Sequence, residues 1–100
     1  MNVAEIERNP ELQRVLLACY EYWQTEPLPP EQRSVCFSWV SGTHRRMFGE
    51  EFHPAKLYQL TKLGFLKQDD TSRGGHRRYY KIVDPSLVEL LASKWTNLAQ

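Results

Sequence analysis

The residues best placed to do chemistry in this sequence of 100 residues are basic: Arg73-Gly74-Gly75-His76-Arg77-Arg78 sets three guanidiniums around two glycines. Glycine reaches positive φ without a steric penalty, so such a loop can bring Arg73, Arg77 and Arg78 close to phosphates or into a minor groove, or simply stay solvated. Arg45 and Arg46, next to His44, make a second cluster that either touches a phosphate backbone or is an ordinary wet face. The nitrogen and sulfur ligands His44, His53, His76, Cys19 and Cys36 show no Cys-x-x-Cys or His-x-x-x-His spacing, so no metal or other cofactor is expected. Asp69 and Asp70 adjoin at a strand end and point to opposite faces, unlike the facing carboxylates of acid–base catalysis. No glycine-rich phosphate loop or nucleophile elbow is readable, and the chain is not expected to be an enzyme.

Net charge is only +1, yet its distribution is uneven. Residues 1–32 hold two basic against six acidic side chains, residues 33–83 ten against four, and residues 84–100 one against two. An acidic front and a basic middle point to one polyanion-facing side. Hydrophobic residues make up 41% of the chain, aromatic 12% and charged 25%, as in one soluble domain spanning 1–100. A core this small leaves few apolar residues to line a cofactor pocket. The chain shows neither an apolar stretch of membrane-spanning length nor a basic, apolar leader, so the expected compartment is the cytoplasm, with no membrane partner. Cys19 and Cys36 are then expected as reduced, packed thiols.

The elements that must position these residues follow from caps and periodicity. Asn9-Pro10-Glu11 opens a helix to about Gln24, with Leu12, Val15, Leu16, Cys19 and Trp23 on one stripe. The prolines at 27, 29 and 30 stop it. Glu31 to Val40 reads as a helix, with Val35-Cys36-Phe37 as a competing short strand; Gly42-Thr43 then breaks the chain before a short helix over 43–48. A further helix spans 53–63, with Leu57 and Leu60 inward, and Gly64 ends it. Residues 65–70 and 78–83 are strand-like and joined by the basic loop, with Tyr80 and Ile82 on one face and Tyr79, Lys81 and Val83 on the other. Asp84-Pro85 opens a terminal helix carrying Leu87, Val88, Leu91 and Trp95.

This order, with Leu57, Leu60, Leu63, Gly64, Phe65 and Leu66 followed by Arg73 to Arg78 and Tyr79-Tyr80-Lys81-Ile82, resembles the winged helix-turn-helix of MarR-, ArsR- and PadR-type regulators. The resemblance covers about a third of the chain, residues 53–85. It implies an α+β fold: a helical core, a two- or three-stranded antiparallel wing and a C-terminal helix. It further implies that helix 53–63 enters the major groove of double-stranded DNA, with the wing at 71–78 on the backbone or in the minor groove. His53, Ala55, Lys56 and Gln59 near that helix start are then the base-contact candidates, and Arg45, Arg46, Arg73, Gly74, Gly75, His76, Arg77 and Arg78 complete the expected DNA-binding set. A small transcriptional regulator acting as a homodimer through its first and last helices is the expected protein, although those apolar stripes would equally close one core. The alternative is a winged-helix adaptor that docks a protein partner on Trp23, Trp39, Tyr58 and Tyr79, without DNA.

Overall fold

The computed structural model describes residues 1–69 and 77–98. The elements in chain order are α1 (Val3–Glu7), α2 (Pro10–Thr25), a single 3-10 turn (Pro30–Gln32), β1 (Val35–Cys36), α3 (Phe37–Phe48), α4 (Ala55–Lys62), β2 (Leu66–Asp69), β3 (Tyr79–Ile82) and α5 (Pro85–Leu98). Among the described residues the fold is therefore α+β, five α-helices with a three-stranded antiparallel sheet of order β1-β3-β2.

Local chemistry explains the ends of the long helices. Asn9 Oδ1 accepts from the Leu12 amide at 3.1 Å with Pro10 at the first helical position, and Asp84 Oδ1 accepts from the Leu87 amide at 3.1 Å ahead of α5. α1 was not legible in the sequence, since five residues give no period. Asn2 Oδ1 caps it on the Glu5 amide at 3.1 Å, and Ile6 anchors it in the core.

The middle of the chain corrects the sequence reading. The helix expected over 31–40 and the short one expected over 43–48 are instead a two-residue strand followed by one continuous helix, α3. Val35 pairs with Tyr80 and Cys36 with Tyr79, so long-range ladder bonds decide the strand against local helix preference. Gly42 does not break α3, because Val40, Thr43 and His44 on either side of it are buried and hold the turn against the core. The stop comes at Gly49, whose φ of 69° lets its amide reach back to the Arg45 carbonyl at 2.8 Å. A Cβ at Gly42 would meet nothing within 4 Å. Gly42→Ala is expected to stabilise the protein by about 0.5–1 kcal/mol, read from urea denaturation.

The sheet uses its period of two to separate core from surface. Leu66 opposite Ile82, with Tyr80 on the same face, turns inward and all three are buried; Lys67 stands opposite Lys81 on the other face. α2 lies centrally, packing against α3, α4 and α5, and supplies Leu12, Val15, Leu16 and Cys19 to the core. From α5, Val88, Leu91 and Trp95 are buried in this same chain, so that apolar stripe closes the chain's own core.

The two ends of the described chain meet at Glu7. Its carboxylate accepts from Lys94 Nζ at 2.6 Å and from Trp95 Nε1 at 3.2 Å. The Lys94 hydrogen bond, then that of Trp95, hold the Glu7 carboxyl below its ordinary value of 4.5. A depressed folded-state value stabilises the fold above that ordinary value, and the contribution disappears as pH falls through the lower one. Glu7 is thus expected to titrate below 4.5 by carbon-13 NMR, and Glu7→Gln to make stability less pH-dependent in that acid window.

Candidate nucleic-acid interface

α4 is short, so what holds it matters more than its own propensity. Leu57 and Leu60 anchor it, with 1% and 0% exposure. Ala55, Tyr58, Gln59 and Lys62, spaced one helical turn apart, form its solvent stripe, and all four are exposed. The sequence reading placed the start at residue 53, but His53 and Pro54 precede the helix, and His53 Nδ1 accepts from the Ala55 amide at 3.0 Å. At the other end, Gly64 at φ 90° turns the chain into β2. The positive φ makes any L side chain strained there, and a Cβ would also come within 3.2 Å of Met1 Cα.

The connection from α3 to α4 is braced at several points. Buried His44 donates from Nδ1 to the Glu50 carbonyl at 2.9 Å and packs on Phe48 and Phe52, with ring centroids at 5.1 and 4.9 Å. His44 is therefore a core residue and not part of a basic surface cluster: its neighbours in the sequence are basic, but helical geometry turns it inward. Arg14 pairs with Glu50 at 2.6 Å, tying α2 to the same connection, and Arg45 pairs with Glu51. Lys56 Nζ reaches Glu11 on α2 at 3.0 Å, and this bond, more than any other influence, lowers the Glu11 carboxyl.

A half-open groove of about 570 Å³ lies where α3, α4 and β3 converge. Phe37, Leu57, Tyr58 and Tyr80 give it an apolar wall, and His53, Arg77 and Arg78 add polar and basic groups. Among the described residues no carboxylate lines it. The start of α4 and the basic entry to β3 therefore share one depression. A core this small had been expected to leave few residues for a pocket; the groove arises because residues at the core's edge also form its wall.

The expected site residues separate accordingly. His53, Ala55, Arg77 and Arg78 come together at the groove, and Gln59 is exposed on the adjoining stripe. Lys56, expected to meet DNA, extends toward Glu11, and Arg45, expected there too, pairs with Glu51, so in each case a carboxylate lies beside the cation. Arg46 is exposed on the last turn of α3 and does not line the groove. Arg73, Gly74, Gly75 and His76 lie outside the described residues. Tyr58 and Lys62 are not among the base contacts the sequence suggests, Tyr58 being expected only as a protein-docking residue. Lys62 Nζ sits 5.2 Å from the Tyr58 ring, and the spacing of four between them was the available signal.

The aromatic set expected for protein docking is mostly enclosed. Trp23 is buried, stacked on Tyr20 and covered by the Arg33 guanidinium at 4.6 Å. Half-buried Trp39 packs between Tyr22 and Tyr79, at 5.4 and 5.5 Å. Tyr58 is the exposed member, at 54%. Among the described residues there is no group of three His, Cys, Asp or Glu placed to hold a metal ion, and no helix is long and apolar enough to cross a membrane. Compared with known protein families, curated proteins and solved structures, the chain matches none.

Proposed function

We propose that this chain is a winged-helix protein that binds double-stranded DNA and regulates transcription, with a binding rather than catalytic role. The observation that carries this reading is the groove shared by the first turn of α4 and by Arg77 and Arg78. A helix laid in the major groove needs a second element on the backbone beside it, and this arrangement supplies both. The element order α2-β1-α3-α4-β2-β3 with strand order β1-β3-β2 supports the winged-helix assignment. In this reading Tyr58 and Gln59 face base edges, with Gln59 able to pair bidentately with adenine, while Lys62, Arg77 and Arg78 hold phosphates. Lys56 and Arg45, neutralised by Glu11 and Glu51, add little.

The reading is tested by duplex binding across salt concentrations. Three phosphate-facing cations, Lys62, Arg77 and Arg78, correspond to a slope of log affinity on log salt of about −3. Such a footprint is weak for one copy, and a two-fold pair on a palindromic site would raise it. Sedimentation with and without duplex measures the copy number. No affinity for duplexes even at low ionic strength would overturn the proposal.

A further inference from the structure

We propose, resting on the DNA-binding reading, that the groove between α3, α4 and β3 receives one unpaired nucleobase of a DNA strand, so that the protein prefers duplexes carrying such a base. Phe37, Tyr58 and Tyr80 present aromatic carbon on which a base stacks once it has left the helix. Arg77 and Arg78 line the same depression, and Lys62 Nζ lies over the Tyr58 ring at 5.2 Å, so cations flank the aromatic wall where the phosphates of a nucleotide would run. Among the described lining residues no carboxylate repels them.

A base also has a polar edge, and the groove holds groups for it. His53 Nδ1 accepts from the Ala55 amide at 3.0 Å, which puts the ring proton on Nε2. That donor and the Ser38 hydroxyl, both in the lining, suit the carbonyl oxygens of a thymine. The volume of about 570 Å³ lies within the range of small-molecule sites, roughly 300–1,000 Å³, and accommodates a base with its sugar. A paired base does not reach this space, because both its faces are stacked within the duplex. An unpaired base loses least on leaving the helix, and the preference follows from that difference.

The test compares duplexes of equal length and phosphate number: fully paired, with a thymine opposite an abasic site, and abasic on both strands at that position. Fluorescence anisotropy at low ionic strength reads affinity, and NMR amide shifts of the full chain read location. The thymine duplex is expected to bind about tenfold more tightly than either of the others, with added shifts at Phe37, Ser38 and Ala55. Tyr58→Ala should bring the ratio of thymine to doubly abasic affinity down to about twofold or less; Tyr58 is exposed, and amide spectra of the variant establish that it is folded. Equal affinity for the thymine and doubly abasic duplexes, the result that flexibility alone would give, overturns the base site and leaves duplex binding standing. A preference that survives Tyr58→Ala, or shifts centred elsewhere, overturns the base site as well. Oligothymidylate bound through the same amides by a chain with no duplex affinity upholds the base site and removes the duplex reading. An acidic aromatic peptide that displaces oligothymidylate at equal concentration assigns the groove to a protein segment and overturns the proposal. No affinity for duplex or oligothymidylate overturns both readings.

Discussion

Replacing Arg77 and Arg78 together by alanine is expected to lower duplex affinity by about 10–100-fold near 0.1 M salt and to flatten the salt slope by about 2. Each cation that neutralises a phosphate contributes roughly one unit of slope, so two should be visible in both intercept and gradient. The informative control is the pair Arg45→Ala with Lys56→Ala, which removes the same formal charge. Arg45 is bound to Glu51 and Lys56 to Glu11, so these cations already have their counter-charges within the protein. Their loss should change the slope by less than about one unit. If affinity followed net charge alone, the two double variants would fall equally. Equal losses would therefore refute the assignment of Arg77 and Arg78 to the DNA face, whereas a steep loss confined to the first pair supports it. Fluorescence anisotropy at several salt concentrations reads both quantities.

That contrast between charges of one sign marks where the sequence stopped being readable. α2 and α5 could be read because their starts are written locally, in Asn9-Pro10 and Asp84-Pro85, and their stripes repeat for about two turns or more. The faces of β3 were equally local, with Tyr80 and Ile82 alternating against Tyr79 and Lys81. β1 was not, because two residues carry no period and its partners lie at positions 79 and 80. α3 was misjudged at Gly42, where glycine's general reluctance to stay helical was weighed without the buried Val40, Thr43 and His44 that hold it. At the candidate site, the inward set of α4 was legible from Leu57 and Leu60, but the direction of Lys56 was not. That depends on Glu11, forty-five positions earlier, which only folding brings to 3.0 Å. The groove is a further case, since its walls come from α3, α4 and β3, and no local pattern writes the space between elements.

Phe65→Ala is expected to cost about 3–5 kcal/mol, enough to remove much of the stability of a domain that has roughly 5–15 kcal/mol in all. Phe65 has 0% exposure and stands where three elements are tied together. Its amide donates to the Leu60 carbonyl at 3.0 Å, at the end of α4, and its carbonyl accepts from the Val83 amide at 3.1 Å, just past β3. Removing the ring leaves a cavity in the core where the chain passes from α4 into the sheet, so α4 loses its fixed position relative to β3 as the core weakens. A fall in melting temperature of roughly 12–40 °C is the corresponding signal for a chain of this size. Cys19 offers an independent reading of the same event. Burial pushes its thiol up to about 12, so the thiolate that alkylating reagents attack is suppressed while the core is closed. Alkylation of Cys19, followed by mass spectrometry of its peptide, should accelerate strongly in Phe65→Ala and little in Phe65→Leu, whose smaller volume change costs about 1.5 kcal/mol or less. Leu90→Ala, at a position 69% exposed, should change stability by no more than about 0.5 kcal/mol. If Phe65→Ala and Leu90→Ala were equally mild, the placement of Phe65 at the junction of α4 and the sheet would be wrong, and with it the rigid presentation of the groove.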